Sequence, residues 1–157
     1  MAVPRIGAHP RGMDEREGFT LIEMVVVLAL LGILLGIAAP HRLRWRDAAA
    51  ASSARDEIAA ALARTRVAAF AHGGAALWID GAAARMWTTA ANGDRVTPAV
   101  DLAGRYGVSI ESGAAVPVEL RFDGLGLGRL TSRTLRIRRG GATAGLTVSA
   151  YGRYRRW

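Results

Sequence analysis

The sequence contains no cysteine and no lysine, only three histidines, and no acidic residue after Asp123. Without cysteine neither a disulfide framework nor a thiolate metal site can form, and the redox compartment has to be inferred from other features. Without lysine, all 21 basic residues are arginine, and eight of them come after Asp123, so the C-terminal part is an unbalanced basic surface within a net charge of +8. His9, His41 and His72 are too far apart to form a pair with metal-ligand spacing. Ser52, Ser53, Ser109, Ser112, Ser132 and Ser149 lack a nucleophile-elbow context, and Asp56 and Glu57 are adjacent on a helix and point apart. Neither an enzyme, a metal nor a cofactor is expected. What remains is a chain of 157 residues, 51% apolar and 22% charged, long enough for one small globular core.

The most pronounced local feature is an uncharged run from Met24 to Ala39, MVVVLALLGILLGIAA. Joined to Phe19–Ile22 it supplies about 20 residues, the length a bilayer requires. Glu23 interrupts the stretch, and a carboxylate there costs on the order of 2.5 kcal/mol or more unless it is paired or near the interface. A secretory signal would carry a shorter apolar core with a small-residue cleavage site after it, whereas this run is longer and ends at Pro40 before HRLRWR. Gly32 and Gly36 form a GxxxG pair suited to close helix packing, and Pro40 removes a backbone donor.

The string Gly18-Phe19-Thr20-Leu21-Ile22-Glu23-Met24 resembles the processing motif of type IV prepilins and type II secretion pseudopilins. The resemblance implies that a prepilin peptidase cuts between Gly18 and Phe19 and methylates the new amino terminus at Phe19. It also implies a role for Glu23, whose carboxylate would pair with the positive amino terminus of a neighbouring subunit and set axial register. Residues 1–18 would be a removed leader, 19–40 a single-pass inner-membrane and assembly helix, 41–74 the periplasmic half of one long helix, and 75–157 a β-rich periplasmic domain. The leader is neutral, with Arg5, Arg11 and Arg16 balanced by Asp14, Glu15 and Glu17, while leaders of this kind are generally short and basic; translation from Met13 is the alternative. Orientation therefore rests on the processing motif and not on charge. In related subunits the stretch between such a glycine and proline can lose helical structure on assembly, so Gly32 to Pro40 is either compliant or a kinked helix.

Beyond Pro40 an alanine-rich helix is expected from about Asp47 to Ala71, with Ile58, Leu62 and Ala69 on one stripe and His72-Gly73-Gly74 closing it. Strand patterns come next at Ala76–Ile79 and Arg85–Thr89, around the turn Asp80-Gly81, and at Tyr106–Ile110, Val118–Phe122, Thr134–Arg138 and Leu146–Ala150. The glycine-rich Phe122–Gly128 lacks the lysine-serine ending of a phosphate-cradling loop and reads as a connection. The expected fold is α+β: a long N-terminal helix packed on a mostly antiparallel sheet, as in pilins.

The segments ARDEIAAALARTRVAAFAHG, LWID, LRFDGLGLG, TLRIRR and LTVSAYGRYRR resemble the GspH/FimT group of minor pseudopilins and minor pilins. That resemblance implies a non-enzymatic subunit whose partners are other pseudopilins, the prepilin peptidase and inner-membrane lipid. The favoured role is priming or capping a periplasmic type II secretion pseudopilus. The alternative is a type IV pilus minor pilin that binds DNA through Arg136, Arg138, Arg153, Arg155 and Arg156, where arginines interleave with Tyr154 and Trp157.

Overall fold

The computed structural model describes residues 19–113, 117–129 and 132–157, and of residues 37–41 the backbone alone. The chain divides into two compact units, Met1–Ala38 and Ala39–Trp157. Helix α1, Leu21–His72, contributes to both and is helical throughout, including at Pro40. It starts because Thr20 caps it: the Thr20 hydroxyl accepts from the Glu23 backbone N–H at 3.3 Å, satisfying one of the orphan donors of the first turn. It stops at His72 because Gly73 turns left-handed with φ of 67° and Gly74 continues at 147°.

In the unit 39–157, α1 buries Ala51, Ala54, Ile58, Ala61, Thr65 and Ala69, steps of three and four residues that trace one face of the helix, with Leu62 four residues after Ile58 on the same face. Alanine at most of these positions lets the backbone approach the sheets closely, and Ile58 and Leu62 supply the bulk. Each of these two contributes roughly 1.5–3 kcal/mol by leaving water. Thr65 is buried without an orphaned hydroxyl, because its Oγ1 donates to the Ala61 carbonyl at 2.8 Å or shares a proton with Thr88 Oγ1 at 2.9 Å.

The remaining elements are β1 (Gly74–Asp80), β2 (Arg85–Ala90), β3 (Val100–Asp101), α2 (Leu102–Tyr106), β4 (Ser109–Glu111), β5 (Val118–Asp123), β6 (Arg133–Arg139), β7 (Ala142–Val148) and β8 (Tyr154–Arg156). They form two four-stranded sheets, ordered β3-β2-β1-β5 and β4-β6-β7-β8, with every pairing antiparallel. Strand alternation sends Leu77, Ile79, Met86, Leu120 and Phe122 of the first sheet, and Leu135, Ile137, Leu146 and Val148 of the second, into the core that α1 shares.

The expected turn at Asp80-Gly81 is present: Asp80 Oδ1 accepts from the N–H groups of Ala82 and Ala83 at 2.9 and 3.1 Å. Three expectations are corrected. A single sheet becomes two. The strand expected over Tyr106–Ile110 is instead the end of α2 and then β4 from Ser109, because Asp101 caps α2 by accepting from Gly104 N–H at 2.9 Å and Gly107 ends it with φ of 64°. The strand expected over Leu146–Ala150 is displaced to Ala142–Val148, since Ser149–Gly152 forms a tight turn in which Ser149 N–H donates to Arg153 at 2.7 Å and Gly152 N–H donates to Ser149 at 2.9 Å.

That turn brings the C-terminus back as β8, extended by Trp157, whose backbone exchanges both hydrogen bonds with Gly145 at 2.8 and 3.0 Å. A side chain at position 145 would collide with the Trp157 ring, so glycine there is what makes room for the indole. The indole Nε1 donates to Thr147 Oγ1 at 3.3 Å and completes the latch.

Candidate functional site

Two regions bear the residues singled out from the sequence, and each lies in its own unit. In the first, Phe19 and the start of α1 expose apolar side chains on every side: Phe19, Leu21, Ile22, Leu28, Ile33 and Leu35 are all more than 60% accessible. A helix apolar all round has no stable state in water on its own, so lipid or other helices must cover it. Glu23 occupies the third position of this helix, beside its positive N-terminal end, where a carboxylate is favoured. Thr20 and Glu23 stand at capping-box spacing, a local signal for the helix start that the processing motif by itself does not convey. A Cβ on Gly32 or Gly36 would meet nothing within 4 Å, so both leave room for a neighbouring backbone.

Gly18 and the leader lie outside the described residues. The stretch from Leu21 to Gly36 reaches about 24 Å at 1.5 Å per residue, short of a hydrocarbon core of about 30 Å. Among the described residues no helix is long and apolar enough to cross a membrane. The rest of the predicted span, 37–40, has only its backbone described.

In the second region, the register of β4-β6-β7-β8 assigns four of the five arginines expected to bind DNA to two different faces. Arg138 stands opposite Ser109 and Thr143, Arg136 opposite Glu111 and Gly145, and Arg155 opposite Thr147. Cross-strand partners share a face, so Arg136, Arg138, Arg155 and Trp157 lie together on the side away from the core. Arg156 pairs with buried Leu146 and points the other way, toward α1, where its Nη1 lies 3.4 Å from Asp56 Oδ1. Arg153 is exposed just before β8. Arg138 is held by Glu111 at 3.0 Å, whereas Arg136, Arg153 and Arg155 have no ion-pair partner among the described residues. The structure thus brings Arg136, Arg138 and Arg155 together and separates Arg156 from them.

Asp56 also accepts from Arg55 Nε at 3.1 Å. The Arg55 hydrogen bond, seconded by Arg156, holds the Asp56 carboxyl below the usual carboxylate range, with slight burial opposing it. A folded-state pKa below the unfolded one, about 3.9, means stability that is present above that pH and lost as the pH falls through the folded value. Acid is therefore expected to loosen the tail from α1. Urea midpoints of the native chain and of Asp56→Asn, measured from neutral pH down to pH 3, should converge in acid because the variant lacks this component throughout.

Among the described residues no group of three histidine, aspartate or glutamate side chains is arranged to hold a metal ion. The model of the prokaryotic N-terminal methylation motif matches residues 13–39, which contain Gly18, Phe19 and Glu23. No curated protein matches the chain significantly. Among solved structures, the type IV minor pilin FimU of Pseudomonas aeruginosa (strain PAO1) is similar in fold, with a TM-score of 0.53 and 22% identity over 67% of this chain and 86% of that one. The chain is therefore a protein of type IV pilin-like fold that carries the prokaryotic N-terminal methylation motif.

Proposed function

We propose that the chain is a minor subunit of a pilin-like filament, a structural protein and not an enzyme, cut after Gly18 and methylated at Phe19. Residues 19–40 anchor it in the inner membrane and stack with other subunits, and the unit beyond lies in the periplasm. The observation that carries this reading is a processing motif joined directly to a helix with apolar side chains exposed on all sides. In this reading Glu23, in the first turn of that helix, pairs with a neighbour's amino terminus, and Gly32 and Gly36, where a Cβ would meet nothing within 4 Å, admit close approach of a neighbouring helix. The unit 39–157 also exposes the apolar side chains of Val67, Phe70, Leu125, Leu127 and Tyr151. Arg66 ties the loops that carry the last three to α1 by donating to the carbonyls of Gly126 and Tyr151 at 2.8 and 3.4 Å.

The filament is the pseudopilus of a type II secretion system, which this subunit primes or caps. The engagement of Arg138 by Glu111 and of Arg156 by Asp56 supports an assembly role, because charges tied to carboxylates are poorly available to a polyanion. The chain has no native cysteine, so a cysteine at Leu30 or Leu34, combined with one cysteine introduced into the apolar helix of a co-expressed pilin-like subunit and an added thiol oxidant, gives an unambiguous test in cells that assemble the filament. Disulfide-linked pairs with other pilin-like subunits are expected. Monomer alone in assembling cells would contradict the proposal.

A second reading, that of a type IV pilus minor pilin binding DNA, draws on the outer face of the second sheet, where Arg136 and Arg155 flank Trp157 and Arg153 lies nearby. Its test is duplex DNA binding against salt. The Arg136→Gln, Arg153→Gln, Arg155→Gln triple variant should reduce the logarithmic salt slope by about 3, while Arg156→Gln should leave it unchanged. No binding near physiological salt would remove this reading.

A further inference from the structure

The first sheet carries a cleft on the side away from α1 that the assembly role does not use. The outward residues of β1 run Gly74, Ala76, Trp78, two small side chains and then a large one, which sinks a floor beside a wall. Thr89 and Arg121 stand opposite Ala76 on the two neighbouring strands, and Glu119 opposite Trp78. The space they enclose with Asp123 and Arg129 has a volume of about 350 Å³, within the range of small-ligand sites and large enough for one or two sugar rings.

The walls are fixed in place. Trp78 Nε1 donates to Thr89 Oγ1 at 3.0 Å, and Trp78 is stacked on Trp87 with ring centroids 6.4 Å apart and planes 8° from parallel. Arg95 lies 5.5 Å from the Trp87 ring and buttresses that stack. Arg121 donates through Nε and Nη2 to Glu119 Oε1 at 2.8 and 2.6 Å, which locks its guanidinium plane and leaves Nη1 without a partner among the described residues. Arg129 reaches the same cleft, its backbone N–H bonded to the Arg121 carbonyl at 3.0 Å, and its side chain has no ion-pair partner among the described residues.

We propose that this cleft binds a carboxylate-bearing sugar. An indole wall takes the C–H face of a pyranose, and Arg129, seconded by the Nη1 of Arg121 that Glu119 does not engage, takes its carboxylate by charge-assisted hydrogen bonds. The Glu119 and Asp123 carboxylates accept from its hydroxyls. Glu119 and Asp123 offer acceptors for sugar hydroxyls, which a DNA phosphodiester backbone lacks, and this favours a uronate over DNA for this site.

The test titrates the full chain, in detergent micelles, with a galacturonate oligosaccharide by calorimetry. Saturable binding is expected, weakened about tenfold or more by Ala76→Leu, which fills the floor, and by Arg121→Gln, and unchanged by Arg105→Gln at an exposed position on α2. If Ala76→Leu does not fold, Arg129→Gln, at an exposed position, carries the same expectation. Absence of saturable binding, or equal binding by the cleft variants, would overturn the proposal. So would displacement of the sugar by single-stranded DNA whose own binding is lost in the same variants, which would reassign the cleft to nucleic acid.

Discussion

Phe122→Ala is expected to lower the stability of the unit 39–157 by about 3–5 kcal/mol, the usual cost of emptying a large aromatic site in a core. Phe122 is 2% accessible and points inward from β5. Its ring also organises the residues around it. Arg66 sits over it at 5.5 Å from the centroid, and from there reaches the carbonyls of Gly126 and Tyr151, so one ring positions the guanidinium that ties α1 to two separate loops. On another side the ring packs against Gly152, where a Cβ would approach Phe122 Cε1 to 2.6 Å and where φ is 77°. The cavity would therefore be difficult to fill by collapse. Equilibrium urea unfolding of the native chain and the variant reads the effect directly; a loss under about 1 kcal/mol would show that neither the ring nor the Arg66 clip organises this corner.

The second large effect concerns Glu23→Gln, and it separates anchoring from assembly. Removing a carboxylate from an apolar helix relieves a cost of about 2.5 kcal/mol in lipid, so the variant is expected to remain in the membrane at least as well as the native chain. Breaking a buried ion pair by deleting one partner costs about 3 kcal/mol or more, roughly a hundredfold in the equilibrium between the membrane pool and the filament. Full membrane retention with loss of cross-linking to other subunits is the expected combination. Membrane loss together with retained cross-linking would assign Glu23 to helix capping alone, the role its spacing from Thr20 also permits.

The legibility of each feature in the residues depends on how local its signal is. The processing motif, the apolar run and the start and stop of α1 are encoded within a few residues of where they act. Thr20 caps the start, and Gly73 and Gly74 end the helix at the point their conformational freedom indicates. The inward stripe of Ile58, Leu62 and Ala69 is equally legible, because a period near 3.6 has one core-facing side.

The division into two sheets is not legible, since alternation identifies a strand but not its partner. Helix α2 is only five residues long, and its marks are single residues, Asp101 and Gly107, easily absorbed into a strand pattern that continues to Ile110. The tail reads from its residues as a basic and aromatic surface. Its conversion into β8 depends on Gly145, on the neighbouring strand, leaving space for Trp157. That pairing also sets which arginines share a face: Arg155 lies with Arg136 and Arg138, while Arg156, one residue on, turns to Asp56. A shift of one residue in register would exchange them, which is why spacing alone groups all five.

The assembly reading rests on the chain being processed at the junction of leader and helix, and that event leaves a covalent record. Intact mass and N-terminal peptide mass spectrometry of the protein, taken from membranes of cells that contain a prepilin peptidase, read it without any assay of function. The predicted product begins at Phe19 with one methyl group on its amino nitrogen, and Gly18→Leu should retain the leader. A native chain that keeps the residues up to Gly18, or one cut beyond Pro40 as an ordinary secretory signal would be, would contradict the account.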